Sequence, residues 1–109
     1  MDNLNDFSLK QLQYFAAVAE YGSFRQAAFR LEITQPTLSH QIANMEQALK
    51  VQLFERTRKG INTTPQGREL LLSARRILEE AQGFTTQAAL LSGGGIGTYR
   101  LGVTPTLGP

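Results

Sequence analysis

From Gln35 to Asn44 the sequence carries Gln35, Thr37, Ser39, His40, Gln41 and Asn44, side chains that hydrogen-bond without formal charge. Glu46 is the only charge in this stretch before Lys50. A solvated helix face would ordinarily carry Lys and Glu pairs. Uncharged donors and acceptors instead suit the edges of bases, where a Gln amide can bond adenine bidentately. The plainer alternative is a surface helix that is simply polar. Downstream, Arg56, Arg58 and Lys59 concentrate positive charge in a few residues, which suits phosphates. The alternative there is a solvated turn whose charges keep the chain soluble. Ser39 and His40 form the sole Ser/His pair. Adjacent residues on a helix point about 100° apart, and no acid is placed to orient the imidazole. No metal-binding cluster is seen, so no catalysis is expected.

The elements that must hold these residues follow from periodicity and capping. Ser8-Leu9-Lys10-Gln11 fits a capping box, and Leu9, Leu12, Ala16 and Ala19, with Phe15 beside them, recur at helical spacing until Gly22. Ser23-Phe24-Arg25-Gln26 reads as a second capping box. Phe24, Ala27, Ala28 and Leu31 then mark one face of a short second helix. After Glu32-Ile33-Thr34, Thr34 caps a third helix whose first turn tolerates Pro36, because that N–H would have no partner. Leu38, Ile42, Met45 and Leu49 form its apolar stripe. Two short helices joined by a three-residue break match a helix-turn-helix, with the small Ala27-Ala28 pair allowing close approach. The pieces around Val51–Arg56 and Ile61–Thr64 flank a turn holding Gly60, which predicts a hairpin with a basic tip. As a wing, it would lay Arg58 and Lys59 on phosphates or in a minor groove.

Thr64-Pro65 begins a fourth helix, predicted to run to about Leu91, roughly 40 Å at the usual rise. Leu70, Ala74, Ile77, Ala81, Phe84, Ala88 and Leu91 are spaced alternately four and three residues apart, a heptad seam. Leu71 and Leu78 form a second stripe able to pack on the globular body. The seam predicts a homodimer through this helix; folding back on the first helix would use only one stripe. Gly83 inside it weakens the helix by about 1 kcal/mol relative to Ala. Ser92 to Gly97 reads as a flexible linker. It is not expected to be a nucleotide-binding loop, since it follows a helix and no Gly-Lys-Ser/Thr follows. The alternation of Tyr99, Leu101 and Val103 predicts one strand with no sheet to join, as if the chain were cut just after a second domain begins.

Composition narrows the class. Eleven Lys and Arg against nine Asp and Glu give a net charge of only +2. Between Gly22 and Thr64, however, six basic residues (Arg25, Arg30, Lys50, Arg56, Arg58, Lys59) face three acidic ones, and a local excess matters more to a phosphate backbone than the overall sum. The absence of cysteine excludes disulfides and thiolate metal sites. Met1 to Asp6 is polar and acidic, unlike a secretory signal, and no apolar run nears the ~20 residues that span a bilayer. The expectation is a soluble, cytoplasmic protein without membrane contact.

The motifs together resemble the LysR-type transcriptional regulators. Leu9 through Glu20, Ser23-Phe24-Arg25-Gln26-Ala27-Ala28, Thr34-Gln35-Pro36-Thr37-Leu38-Ser39, Leu53-Phe54-Glu55-Arg56 and Thr64-Pro65-Gln66-Gly67 stand in that family's order. The resemblance implies a mainly α chain. Residues 1–64 would be a winged helix-turn-helix of three helices and a two-stranded wing, and 65–91 a long dimerising linker helix. Residues 92–109 would be a hinge and the first strand of a truncated effector-binding domain. It also implies sequence-specific binding of double-stranded DNA at an interrupted inverted repeat, and a tetramer when intact. No cofactor is expected in this fragment; a small-molecule inducer would bind the missing domain. Carried over by position, base reading falls on Gln35, Pro36, Ser39 and His40, and wing contact on Lys59 with Arg56 nearby. The full set expected at DNA is Ser23, Arg25, Thr34, Gln35, Pro36, Thr37, Ser39, His40, Arg56, Arg58 and Lys59. His40 stands where Arg is common, Lys50 where Gly is common, which predicts a slightly strained left-handed cap, and Thr63 replaces a usual Leu. A coiled-coil adaptor or another winged helix-turn-helix family remains an alternative at this point.

Overall fold

The computed structural model describes residues 7–92. The elements run α1 (Leu9–Tyr21), α2 (Phe24–Leu31), α3 (Gln35–Leu49), β1 (Phe54–Thr57), β2 (Gly60–Thr63) and α4 (Pro65–Ser92). The capping box at Ser8 is complete: Ser8 Oγ accepts from the Gln11 N–H and Gln11 Oε1 accepts from the Ser8 N–H. Of the second predicted box the Ser23 half forms, with Ser23 Oγ accepting from the Gln26 N–H. Gly22 ends α1 at φ 62°. Glu32 ends α2 at φ 61°, and the Ile33 N–H reaches back to the Ala28 carbonyl, so the break between α2 and α3 is a tight left-handed turn.

The core gathers from all four helices, the first strand and the segment before it. Leu12, Phe15 and Val18 of α1, Ala27 and Ala28 of α2, and Leu38, Ile42 and Met45 of α3 are buried together with Leu53, Phe54 and Ala74. On α1 the buried stripe is Leu12, Phe15 and Val18, while Leu9 remains 47% exposed. The run Ala16-Ala17-Val18-Ala19 is apolar all round, so the larger side chains set the rotation of the helix. Phe54 anchors the hairpin: its ring meets those of Phe15 and Phe24 edge-on, with centroids 5.5 and 6.0 Å apart, a favoured aromatic geometry. It is the sole buried residue of β1. β1 and β2 pair antiparallel, with Phe54 opposite Thr63 and Thr57 opposite Gly60.

The chain divides between Leu78 and Glu79, within α4 rather than at the predicted boundary after Thr64. The reason is that Ala74 is buried and Leu71 and Leu78 pack against the core, so the first half of α4 belongs to the globular body. The hinge and strand expected over 92–109 lie outside the described residues apart from Ser92, which closes α4.

Candidate nucleic-acid interface

Residue spacing on α3 sets which side chains reach outward. Leu38, Ile42 and Met45 are held in the core, and Thr34, Gln35, Pro36, Thr37, Ser39 and His40 are all exposed. Thr34 caps the helix, its Oγ1 accepting from the Thr37 N–H at 3.2 Å and donating to Thr37 Oγ1 at 2.7 Å. The Thr37 hydroxyl thus keeps its own proton to offer outward. Gln41 departs from the face expected of it. Its Oε1 accepts from Gln11 Nε2 at 3.1 Å, and Gln11 Oε1 holds the Ser8 N–H, so Gln41 ties α3 to the start of α1. The first two turns of α3 therefore present an exposed, uncharged surface, which Asn44 extends by a further turn; the helix start is the part of a recognition helix that meets base edges.

The wing supplies the cations. Arg58 and Lys59 form the loop between paired Thr57 and Gly60, and Arg56, Arg58 and Lys59 are exposed. Gly60 has φ 125°, a backbone state that suits only glycine. The hairpin passes close to the α1–α2 turn: a Cβ at Gly60 would lie 3.8 Å from the Gly22 carbonyl oxygen, which brings the tip near Ser23, the residue after Gly22. Ser39 of α3 and Arg56 of β1 line one cleft of about 390 Å³, so the predicted reading helix and the predicted basic wing share a surface. Arg25 is exposed on the first turn of α2. Arg30, counted in the local basic excess, lies 5.3 Å over the Tyr21 ring and so fastens α2 to α1.

A junction missed by the sequence reading holds α3, the wing and α4 together. Glu46 Oε2 accepts the Leu53 N–H at 2.8 Å and the Phe54 N–H at 3.3 Å. Thr64 Oγ1 donates to the Gln52 carbonyl and accepts from the Gly67 N–H, and the Thr64 N–H bonds the Leu53 carbonyl at 3.0 Å. Gly67 is buried against the Leu53 backbone, where a Cβ would meet the carbonyl oxygen at 2.2 Å. The Thr64-Pro65-Gln66-Gly67 motif is thus a packing device: a cap, a first-turn Pro and a residue with no side chain to obstruct. Glu46 was visible as the lone charge on α3, but nothing in the sequence located its partners.

Residues 9–68 match the bacterial regulatory helix-turn-helix proteins of the lysR family. The chain belongs to that family. It is 44% identical over 102 residues to a Mycobacterium xenopi protein named "Probable hydrogen peroxide-inducible genes activator", covering 94% of this chain and 54% of that protein. It superposes on the BenM DNA-binding domain in complex with catB site 1 DNA with a TM-score of 0.78 at 37% identity, covering 82% of this chain and all of that one. The CbnR DNA-binding domain in its DNA complex gives 0.69 at 43% identity, over 77% of this chain and 99% of that one. The chain spans about half the length of the first of these relatives, and 33% of a Streptomyces viridosporus one.

Three features noted against the LysR-type pattern have structural counterparts. Lys50 does close α3 in the left-handed region, at φ 59°. Thr63 is half-buried opposite Phe54, and Ile61 of the same strand packs on the core. His40 is exposed on α3. The predicted dimer seam needs one correction. Ala74 is 2% exposed, covered by its own body, and has no surface left to give a partner. Leu70 and Ile77 are 37% and 41% exposed and line a small apolar groove with Leu12, Met45 and Leu53. The heptad count placed Leu70, Ala74 and Ile77 on one outward seam; of these three the body covers Ala74. From Glu79 onward, Ala81 is half-buried, Ala88 is exposed, and Phe84 and Leu91 are 74% and 80% exposed. Among the described residues no helix is long and apolar enough to cross a membrane.

Proposed function

We propose that this chain is the DNA-binding part of a LysR-type transcription regulator and reads double-stranded DNA in a sequence-specific way. The first two turns of α3 enter the major groove, with Gln35, Pro36, Ser39 and His40 toward base edges and Thr34 and Thr37 at the helix start. Arg56, Arg58 and Lys59 of the wing, with Ser23 at the cap of α2 and Arg25 in its first turn, contact the phosphate backbone or minor groove. The observation that carries this reading is the shared cleft of Ser39 and Arg56: an uncharged hydrogen-bonding side chain of α3 and a cation of the wing line one surface, as base readout beside phosphate positioning requires. Family membership and the DNA complexes of the similar BenM and CbnR domains support it.

In this reading a homodimer forms through the later seam, Ile77, Ala81, Phe84, Ala88 and Leu91, and binds an inverted repeat. The complete protein works in the cytoplasm as a tetramer, and a small-molecule inducer acts through residues beyond those described. Selection of binding sequences from a random duplex pool tests the core of it. The expected outcome is enrichment of one interrupted inverted repeat, bound in a salt-dependent way. Recovery of unenriched sequence, with binding indifferent to salt, would overturn it.

A further inference from the structure

Thr57 is exposed on the wing, yet its hydroxyl has no capacity left for an outside partner. Thr57 Oγ1 accepts from the Lys59 N–H at 3.2 Å and from Asn62 Nδ2 at 3.1 Å, and donates to the Gly60 carbonyl at 3.2 Å. A hydroxyl offers one proton and two lone pairs, so these three bonds saturate it. They join both strands and the loop at one atom. Arg58, Lys59 and Gly60 are exposed, so beyond the approach of Gly60 to the Gly22 carbonyl the tip has little burial to hold it. β1 buries only Phe54, at the far end from the loop, and a two-stranded ribbon is marginal in water without packing. We propose that Thr57 is a positioning residue, whose single hydroxyl braces the turn so that Arg58 and Lys59 are presented to the phosphate backbone in one arrangement. This rests on the reading of the wing as a DNA contact. Its consequence is that the ordering of the loop is already complete before DNA arrives, and binding does not have to supply it.

The test compares Thr57→Val, which keeps the shape and loses the hydroxyl, with Thr57→Ser, which keeps the oxygen. Affinity for random-sequence duplex is measured across a salt series for both, and for Thr57→Val in an Arg58→Ala/Lys59→Ala background. Backbone order parameters of Arg58 to Gly60 are measured without DNA. Thr57→Val should bind roughly five- to tenfold more weakly, as the loop regains freedom. Its tip should fall from rigid-backbone values of about 0.85 toward about 0.6. Thr57→Ser should restore most of both. With the tip cations gone, Thr57→Val should cost almost nothing further, because it acts through them. Asn62→Ala, which removes one of the three bonds, should give a smaller loss in the same direction. The helical unfolding transition should stay where it is for all of them. An equal loss with and without the cations would make Thr57 a direct contact and overturn the proposal, as would unchanged tip order in Thr57→Val. A wild-type domain that ignores random DNA would remove the wing's proposed role and this one with it. The order parameters, read without DNA, tell that failure apart from an absent brace.

Discussion

Two Gly→Ala substitutions in the same helix should have opposite signs. At Gly67 a new Cβ would sit 2.2 Å from the Leu53 carbonyl oxygen, 3.0 Å from its carbon and 3.1 Å from its Cα. Comfortable contact begins near 3.5 Å, so the first turn of α4 must retreat by roughly 1 Å. That retreat pulls directly on the Thr64 cap, where the Gly67 N–H reaches Thr64 Oγ1 at 2.8 Å, and on the Thr64 N–H bond to Leu53. Forced overpacking costs about 1–3 kcal/mol, and a buried hydrogen bond left poorly made costs about 1–3 kcal/mol. Against these stands a gain of about 1 kcal/mol in helix propensity. Gly67→Ala is therefore expected to destabilise by about 2–4 kcal/mol, lowering the unfolding midpoint by something like 10–20 °C in a domain of this size. At Gly83 a Cβ meets nothing within 4 Å, so only the propensity term remains. Gly83→Ala should stabilise by up to about 1 kcal/mol. Thermal unfolding followed by far-ultraviolet circular dichroism reads both. A neutral Gly67→Ala would refute the close approach of α4 to Leu53, and a destabilising Gly83→Ala would show a covered site where the structure has open space.

Other perturbations probe the junction, the strained cap and the seam. Glu46→Ala removes the acceptor of two N–H groups and should cost about 2 kcal/mol in urea unfolding; a loss near zero would mean the clamp is not made. Lys50→Gly relieves a left-handed non-glycine at φ 59° and should raise the unfolding free energy by about 0.5–1 kcal/mol, read as a higher urea midpoint at unchanged slope, whereas a fall would refute that cap geometry. Phe84→Asp would put an unpaired charge into the proposed dimer seam, and sedimentation should show monomer. Leu72→Asp, at a 60% exposed position off the seam, should leave the dimer intact, and a dimeric Phe84→Asp would exclude the seam as the interface.

What was legible in the sequence was whatever local patterning decides. Ser8, Ser23 and Thr34 were readable as caps because capping needs only a hydroxyl and the next turn. The Leu38, Ile42 and Met45 stripe fixed the rotation of α3 and hence which polar residues face out. Gly60 marked the wing turn through its backbone requirement. What escaped depends on groups far apart in sequence. By type and spacing Gln41 belongs with the uncharged polar face of α3, and its bond to Gln11, thirty positions away, is not a local pattern. Ala74 satisfied a heptad count, but a small side chain there also fits under Leu71 and Leu78 against the body, and periodicity cannot say which neighbour takes it. The Glu46 clamp and the Thr57 brace involve backbone atoms of other elements, which a pattern of side chains does not announce.

The central claim, that α3 reads bases while the wing grips phosphates, is tested most directly by affinity against salt for Gln35→Ala and Lys59→Ala on preferred and random DNA. Gln35 stands exposed in the first turn of α3, and its amide can donate and accept at once. Its loss should cost about 1–3 kcal/mol on the preferred site, relax preference at one base position per half-site and spare random DNA. Lys59 carries a flexible point charge at the wing tip, so Lys59→Ala should weaken both DNAs by similar factors. It should also lower the salt slope by about one unit per lost phosphate contact, or about two for a dimer on two half-sites. Equal losses on both DNAs for Gln35→Ala, or a loss confined to the preferred site for Lys59→Ala, would contradict the account.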